Sequence, residues 1–298
     1  MPIQVATAPV SWGIMEIEGF TGQKSYGEVL DEMVEAGYAG TELGPYGFLP
    51  TSPSELKREL EKRRLTLLGA FVPLPLGHAE RHDDGLRSAM EVARLLAAAG
   101  APYLVLAGEM DPRRMAIAGS AGGDDEFREE QWDAAARLLA DIAGEAREMG
   151  LRSVLHHHAG TFVETPREVA HLLEIADPRL LGVCLDTGHY VYGGGDPVAF
   201  ARTHSSRIWH LHLKDVQPAV LAEVRRTKVP YLDAIRHGVF CELGAGCVDF
   251  PAVIGALREA GFDGWAVFEQ DVDPALPGVS PKESAARSRA YLRRAVEL

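Results

Sequence analysis

Acidic and histidine side chains recur at the ends of several segments that have the composition of β-strands. Carboxylates and imidazoles that converge on one buried cavity repel one another or lack partners unless a cation joins them. Mixed carboxylate and imidazole shells suit Mn²⁺, Co²⁺, Mg²⁺, Fe²⁺ or Zn²⁺, so the pattern predicts a divalent metal site, with Mn²⁺ or Co²⁺ favoured. The residues concerned are Glu42, Glu109, His156, His157, His158, Asp186, His189, His210, His212, Lys214, Asp215, Glu269 and Asp271.

The strand periodicity of two separates the histidines of the 210–212 segment, which reads His-Leu-His. His210 and His212 face the same side of the strand, and the leucine between them faces the other. His212 lies nearer the end of the strand, so it is the predicted metal ligand. His210 is interpreted as a supporting or packing group.

The 156–158 segment reads His-His-His, and the same periodicity divides it. His156 and His158 share one face of the strand, whereas His157 points the other way, towards solvent or a covering helix. The pattern predicts one ligand from this segment. It leaves open whether that ligand is His156 or His158.

These side chains need strands that deliver them to one place, and the chain alternates strand-like and helix-like segments throughout. Eight strands in strict alternation with helices imply a parallel sheet, and eight is the number that closes a (β/α)₈ barrel. We therefore predict one α/β barrel domain over residues 1–298, with the ends of the strands at one mouth. The predicted strands are 3–8, 40–43, 66–72, 103–107, 153–158, 181–186, 207–213 and 265–270, and the predicted helices are 25–36, 53–63, 81–99, 129–149, 166–175, 196–203, 250–260 and 281–296.

Turn chemistry supports these boundaries. Three predicted helices begin with Ser or Thr followed by Pro, with Glu two residues after the Pro. This is the composition of a capping box with proline at the first helical position, and it occurs at Ser52, Thr165 and Ser280.

Two connections are longer than usual for a barrel. The 108–128 connection is rich in glycine and is predicted to act as a lid, and the 214–249 connection is predicted to contain a short helix near 220–226.

Composition excludes several classes of protein. The formal net charge of −13 argues against general affinity for nucleic acid, which needs a basic surface. No segment reaches the roughly 20 consecutive apolar residues of a membrane span, and the N-terminal residues lack the features of a signal peptide, so we expect a cytoplasmic protein without a membrane partner. Three cysteines without metal-type spacing favour a small core residue at Cys184 over a disulfide framework. A homo-oligomer remains open.

Several short motifs, taken together, resemble those of the xylose-isomerase-like (β/α)₈ barrels, the superfamily of sugar isomerases, sugar epimerases and endonuclease IV. Within it the chain is most similar to the inosose (2-keto-myo-inositol) dehydratases. The acidic charge balance disfavours an endonuclease. The motifs are Ala8-Pro9-Val10-Ser11-Trp12, Gly40-Thr41-Glu42-Leu43-Gly44, His156-His157-His158-Ala159-Gly160-Thr161, Asp186-Thr187-Gly188-His189, His210-Leu211-His212-Leu213-Lys214-Asp215, Gly244-Ala245-Gly246 with Asp249, and Phe268-Glu269.

The resemblance implies a metal held by Asp186, His212 and Glu269. The sugar epimerases have a glutamate as the fourth ligand, at the end of the fifth barrel strand. That position falls on His156 here. The chain therefore departs from the epimerase pattern and from its mechanism with two glutamates.

A dehydratase of this family would act on a keto-polyol such as 2-keto-myo-inositol through an enediolate stabilised by the metal. His189 is the candidate for contact with a substrate oxygen or for proton donation, and Lys214 for electrostatic stabilisation. The further acid–base candidates are Glu42, His158 and Glu242, with Glu242 assigned to substrate binding, and Trp12 would form an apolar wall for the substrate. The alternatives are a sugar or hydroxy-keto acid isomerase or epimerase on the same scaffold, and a non-catalytic sugar-binding barrel.

Overall fold

The computed structural model describes residues 3–15, 24–273, 275–276, 278 and 280–298. Eleven strands are observed among them. They are β1 (Gln4–Thr7), β2 (Gly40–Thr41), β3 (Thr66–Leu67), β4 (Gly69–Leu74), β5 (Tyr103–Gly108), β6 (Arg152–His156), β7 (Leu181–Asp186), β8 (Ile208–Leu213), β9 (Asp215–Val216), β10 (Phe240–Cys241) and β11 (Trp265–Phe268).

Twelve α-helices accompany the strands in the described part of the chain. They are α1 (Tyr26–Glu35), α2 (Pro53–Glu61), α3 (His82–Ala99), α4 (Pro112–Ile117), α5 (Glu129–Glu148), α6 (Pro166–Ile175), α7 (Thr187–Tyr192), α8 (Pro197–Thr203), α9 (Pro218–Thr227), α10 (Tyr231–Arg236), α11 (Phe250–Glu259) and α12 (Pro281–Ala295). None of these described helices is both long and apolar enough to span a membrane.

Nine of the strands form one parallel sheet in the order β3-β2-β1-β11-β8-β7-β6-β5-β4. Only Leu68 separates β3 from β4. Its amide donates to the Thr41 carbonyl oxygen at 2.9 Å, and its own carbonyl oxygen accepts from the Tyr103 amide at 3.0 Å. The two segments are therefore halves of the third predicted strand, and they close the sheet. This confirms the predicted (β/α)₈ barrel.

Of the three capping boxes predicted from the sequence, one is observed at its helix start. Thr165 forms the predicted capping box with Glu168, whereas the side chains of Ser52 and Ser280 make no capping hydrogen bond. Proline occupies the first turn of all three helices, so the fixed backbone angle of proline is enough to begin a helix at the other two positions.

The two long connections are more structured than the sequence indicates. The 108–128 connection contains α4, and Arg114 on that helix is buried, with its guanidinium 2.9 Å from the carboxylate of Glu168. The 214–249 connection contains α9 and α10, and β9 pairs antiparallel with β10 at its base. Helices α4, α7 and α10 and the antiparallel pair of β9 and β10 lie outside the predicted elements. Lid motion of the 108–128 segment stays a prediction.

Candidate functional site

The strand register brings metal-type side chains together at one mouth of the barrel. Asp186 at the end of β7 lies directly opposite His212 in β8. His156 ends β6, the neighbour of β7 on the other side. Glu269 follows β11, and its amide donates to the Leu213 carbonyl oxygen at 3.0 Å. Four neighbouring strand ends therefore point one buried side chain each into the same space.

His156, Asp186, His212 and Glu269 form a compact group that we call the ligand tetrad. One potential ligand atom from each lies within 4.8 Å of all the others, and all four residues are buried. His212 Nδ1 is 3.3 Å from Glu269 Oε2 and 3.9 Å from Asp186 Oδ2, and His156 Nε2 is 3.5 Å from that same Asp186 oxygen. These separations surround a space of the size that a divalent ion needs.

Three atoms of the tetrad face this space without any hydrogen bond: His156 Nε2, Asp186 Oδ2 and His212 Nδ1. The other side-chain oxygen of Asp186 accepts from the His189 amide at 2.8 Å, so only Oδ2 remains free. Buried polar atoms are rarely left without partners. Two imidazole nitrogens and carboxylate oxygens are also a donor set that suits divalent transition metals. The residues present therefore fit a metal ion.

Glu42 orients His212 by contacting the ring nitrogen that faces away from the tetrad. Its Oε1 lies 2.9 Å from His212 Nε2 and 2.7 Å from His210 Nε2, and His210 in turn stacks on Tyr103 with ring centroids 4.6 Å apart. Burial alone would raise the pKa of Glu42, but the two histidines hold that pKa well below its usual range. A carboxylate that accepts one imidazole N–H leaves the opposite ring nitrogen free to bind a metal.

Cys184 also lies near His156 and His212. Burial raises the pKa of its thiol to about 12. The side chain is thus a neutral thiol, which is a poor metal ligand because thiolates, not thiols, bind metals. The expectation that Cys184 is a buried core residue is confirmed.

Lys214 is buried beside the tetrad. Its Nζ lies 2.6 Å from Asp271 Oδ1, 3.0 Å from His189 Nε2, 3.4 Å from Glu269 Oε2 and 3.5 Å from Asp186 Oδ2. Burial would lower the pKa of Lys214, but these three carboxylates outweigh that effect and raise the pKa above its usual range. The surrounding carboxylates therefore favour the charged form of Lys214.

The rings of His158 and His189 pack against each other at a tilt, with their centroids 3.8 Å apart. Burial, the neighbouring histidines and Lys214 hold the pKa of both imidazoles well below the usual value. Both rings are thus neutral at pH 7. His158 Nδ1 donates to the Ala159 carbonyl oxygen at 2.7 Å, which leaves His158 Nε2 as the basic nitrogen.

A cavity of about 370 Å³ opens above these residues. Polar and apolar side chains both line it, so the cavity can hold a molecule with a polar rim and hydrocarbon faces. The polar lining residues are Glu42, Glu109, His156, His158, Lys214, Tyr231, Glu269 and Asp271, and the apolar lining consists of Ala8, Val10, Ile14, Met15, Gly44, Pro45, Phe71, Pro73, Gly108 and Met110.

Two residues predicted to bind substrate, Trp12 and Glu242, lie outside the lining of this cavity. Trp12 is buried outside the cavity lining, and its Nε1 donates to Glu32 Oε2 at 2.7 Å. Its ring packs in the barrel core because the chain turns away after β1 in a 3₁₀ turn. Glu242 also lies outside the lining, where it forms a bidentate pair with Arg287 at 2.7 and 2.8 Å.

The remaining predicted residues are placed as follows. Glu42 and His158 line the cavity directly, whereas His189 lies beneath Lys214 and His158 and is fully buried. His157 faces away from the cavity, as alternation predicts, and packs against the Tyr190 ring at a centroid distance of 5.2 Å. It is buried by a helix, not solvated.

Among the cavity residues without a role assigned from the sequence, Tyr231 and Asp271 contact each other. Tyr231 on α10 donates its hydroxyl to Asp271 Oδ2 at 2.8 Å. Asp271 was recognisable from its spacing, because it lies two residues after Glu269 at the same strand end. Tyr231 carried no such signal, since its helix lies in a long connection and reaches the cavity only through tertiary folding.

Comparisons with known proteins agree with this geometry. The profile of the xylose isomerase-like TIM barrel family matches residues 30–295. The chain is 33% identical over 300 residues to an inosose dehydratase of Geobacillus kaustophilus (strain HTA426), covering 99% of this chain and 95% of the relative. It is 35% identical over 274 residues to the rhizopine catabolism protein MocC of Rhizobium meliloti, covering 92% of this chain and 83% of that protein.

Among solved structures, the protein IolI with a bound zinc atom is similar in fold. The TM-score is 0.71 at 15% sequence identity, and the match covers 97% of each chain. At this identity the likeness concerns the fold alone.

Proposed function

Because the chain belongs to the xylose isomerase-like TIM barrel family, we propose that it is a metal-dependent dehydratase that removes water from a cyclic keto-polyol such as 2-keto-myo-inositol. The observation that carries this proposal is the buried ligand tetrad, with atoms that lack a hydrogen bond, beneath a cavity lined by both polar and apolar side chains. The inosose dehydratase that is similar over almost the whole chain supports the reaction class.

The tetrad of His156, Asp186, His212 and Glu269 would hold the metal. When bound, a divalent ion supplies a Lewis acid for the negative charge that develops on the substrate carbonyl oxygen. The imidazole and carboxylate donors favour Mn²⁺ or Co²⁺, with Mg²⁺, Fe²⁺ and Zn²⁺ as further candidates. The IolI structure, which is similar in fold, is described with a bound zinc atom, and this agrees with a divalent ion on such a barrel.

Lys214 stabilises negative charge from the side of the protein. Its ammonium group lines the cavity next to Glu269 and remains protonated because three carboxylates surround it. A fixed positive charge in a site that excludes water stabilises a developing oxyanion without any reorganisation during the reaction. The group therefore lowers the barrier to deprotonation next to the ketone.

His158 is the proposed base. Its Nε2 is free because Nδ1 donates to a backbone carbonyl, and the neutral ring can accept the proton from the carbon next to the ketone. The same proton can then pass to the departing β-hydroxyl, which leaves as water. One C–H bond and one C–O bond break, a C=C bond forms, and the resulting enol converts to a dione.

Glu42 and His189 support these groups. Glu42 lines the cavity and fixes the orientation of His212, and one of its oxygens remains available to a substrate hydroxyl. His189 contacts Lys214 and packs against His158, so it positions both and reaches the substrate only through them.

The apolar part of the lining receives the hydrocarbon faces of the ring. Phe71 and Met110 belong to it, in the role that the sequence had suggested for Trp12. A cyclic polyol with hydroxyls around its rim presents C–H bonds above and below the ring, and such faces pack well on aromatic and thioether groups.

The test is incubation of the metal-loaded protein with 2-keto-myo-inositol, with the products followed by ultraviolet absorption and mass spectrometry. We expect loss of one water molecule and an absorbing dione, both abolished by a chelator and restored by Mn²⁺ or Co²⁺. A panel of ketoses serves as the control.

The outcomes distinguish the alternatives. Epimerised or isomerised ketoses without loss of water would replace the dehydratase assignment with an isomerase on the same scaffold. Saturable binding of keto-polyols without turnover, with any divalent metal, would identify a sugar-binding barrel.

A further inference from the structure

A second group of metal-type side chains lies next to the ligand tetrad. His158, His189 and Asp271 each offer one ligand atom, and these three atoms lie within 4.8 Å of one another. Oxygen and imidazole ligands in such an arrangement are typical of a metal position. The mouth of the barrel therefore presents two adjacent sets of ligands.

The Lys214 ammonium group lies between the two sets. From the second set, Asp271 Oδ1 is 2.6 Å and His189 Nε2 is 3.0 Å from Nζ. From the tetrad, Glu269 Oε2 is 3.4 Å and Asp186 Oδ2 is 3.5 Å away. An ammonium group has three N–H donors, and here four lone-pair atoms surround it. This is the environment of a bound cation.

The stem of Lys214 is fixed in place as well. Its backbone amide donates to Thr187 Oγ1 at 3.0 Å, and its carbonyl oxygen accepts from that hydroxyl at 2.8 Å. A Cβ atom at Gly188 would lie only 2.6 Å from Lys214 Cγ, so the absence of a side chain there makes room for the stem. The Phe240 ring centroid lies 5.2 Å from Nζ and adds a cation–π contact.

We propose that this site has two cation positions, one for a divalent metal and the other filled by the Lys214 ammonium group, which limits the centre to one metal ion per chain. The inference rests on the proposed function for the metal at the tetrad. It goes further in assigning the second set of ligands to a covalently attached cation. A metal ion in that position would meet the ammonium charge at contact distance, so the two exclude each other.

The arrangement has a consequence for the reaction. The lysine charge neither dissociates nor exchanges with ions in solution. The positive charge next to the substrate oxygen therefore persists at metal concentrations that would empty a second metal position. The proposed enzyme depends on one metal equilibrium instead of two.

The experiment measures how many Co²⁺ or Mn²⁺ ions bind per chain, by equilibrium dialysis and elemental analysis. The wild type should bind one ion. Lys214→Met, which removes the charge at similar volume, should bind one ion more than the wild type, because the second set of ligands then lacks its cation. The double variant Lys214→Met/Asp271→Asn should return to the wild-type number. With Mn²⁺, the electron paramagnetic resonance spectrum of Lys214→Met should show two coupled ions.

The matched control is Lys282→Met, which removes an exposed lysine that pairs with Glu35 on the outside of the barrel. It should leave the metal content unchanged. Lys214→Gln repeats the test with a polar side chain in case the methionine variant does not fold.

Two results would overturn the inference: a second ion in the wild type, or folded Lys214→Met and Lys214→Gln that bind no more metal than the wild type. Failure of the proposed function looks different. A wild type without metal beside a Lys214→Met variant with one ion would remove the tetrad as a metal site and leave the lysine-filled position intact.

Discussion

Two groups of buried charged residues lie at the same mouth of the barrel, and they differ in what their polar atoms bind. The central group consists of the ligand tetrad with Lys214 and Asp271. The second, which we call the loop anchor, consists of Arg114, Glu164 and Glu168 and lies beneath the 108–128 segment. The first lines the cavity in part, and none of the three anchor residues does.

In the loop anchor, the carboxylate oxygens accept mainly from backbone amides. Glu164 accepts from the amides of Gly119 and Gly160 at 2.6 and 2.7 Å, and Glu168 Oε2 accepts from the amide of Thr165 at 2.8 Å. Arg114 supplies the positive charge. The anchor therefore connects the 108–128 segment to the loop before α6 and to α6 itself.

In the central group, carboxylates and imidazoles mostly face one another, and backbone donors are few. Three carboxylates surround the Lys214 ammonium group, and His156, Asp186 and His212 each have a side-chain atom without a hydrogen bond. The comparison shows that burial and charge are common to both groups. The central group differs in its excess of lone pairs over donors, and this excess is the basis for proposing that it binds a cation and a substrate.

The largest expected effect follows loss of a tetrad carboxylate. Asp186→Asn or Glu269→Gln should lower both the bound metal and the dehydratase activity by about a thousandfold or more, because the ligand charge that holds the ion is lost. Elemental analysis and an activity assay on the same sample measure the two effects. The matched control is Glu242→Gln. Full metal content in either tetrad variant would refute the ligand assignment.

The loop anchor should show the opposite behaviour. Arg114→Met removes one partner of a buried ion pair and should lower the free energy of unfolding by about 3–5 kcal/mol, because the Glu168 charge remains buried without its partner. Urea unfolding measures the loss. Metal content of the folded fraction should not change.

The double variant Arg114→Met/Glu168→Gln should recover part of that stability, since no unpaired charge remains. If Arg114→Met instead depletes the metal without destabilising the fold, the distinction between the two groups is wrong.

The anchor should also make stability depend on pH. Burial raises the pKa of Glu164 to about 7, against 4.5 for an ordinary glutamate, although the Gly119 and Gly160 amides and Arg114 oppose this. Between pH 4.5 and pH 7, Glu164 therefore keeps its proton in the folded state and loses it in the unfolded state. The contribution of Glu164 to stability is complete below pH 4.5 and is lost as the pH rises through 7.

Between pH 4.5 and pH 8 the free energy of unfolding of the wild type should fall by about 3 kcal/mol relative to a variant in which this side chain cannot titrate. Unfolding of the wild type and of Glu164→Gln across this range measures it, and the difference between the two proteins should decrease with pH. Parallel curves for the two proteins would contradict the assignment.

The smallest effects are expected at the two residues that the structure places outside the cavity. Glu242→Gln should change the activity less than about twofold, since an exposed ion pair contributes little. Trp12→Phe should reduce stability through lost packing and the lost bond to Glu32, with KM for the keto-polyol unchanged. A raised KM in either variant would return that residue to the substrate site.

The sequence by itself determined the barrel and most of the polar strand ends. Eight alternating strand and helix segments are a local property of the chain, since hydrophobic period and turn chemistry act over a few residues. Period-two alternation also separated His157 from its neighbours and favoured His212 over His210, whereas Asp186 and Glu269 were indicated as ligands by the resemblance to the family. The closed parallel sheet then follows from the number of strands.

Tertiary structure alone decided which polar residues meet. Trp12 and Glu242 lie in motifs that resemble those of the family, yet the turn after β1 and the pairing with Arg287 direct them elsewhere. Tyr231 reaches Asp271 although 40 residues separate them in the chain. Such contacts depend on how long connections pack over the barrel, and local sequence patterns do not encode this.

The same distinction applies to Lys214. Its position after a strand was visible in the sequence, and so was its positive charge. Only the folded barrel shows that its ammonium group occupies a space between two sets of ligands, because those ligands come from β7, the segment after β11 and helix α7. Local periodicity determined the fold and the polar strand ends, and the packing of distant segments decided which of these side chains come into contact.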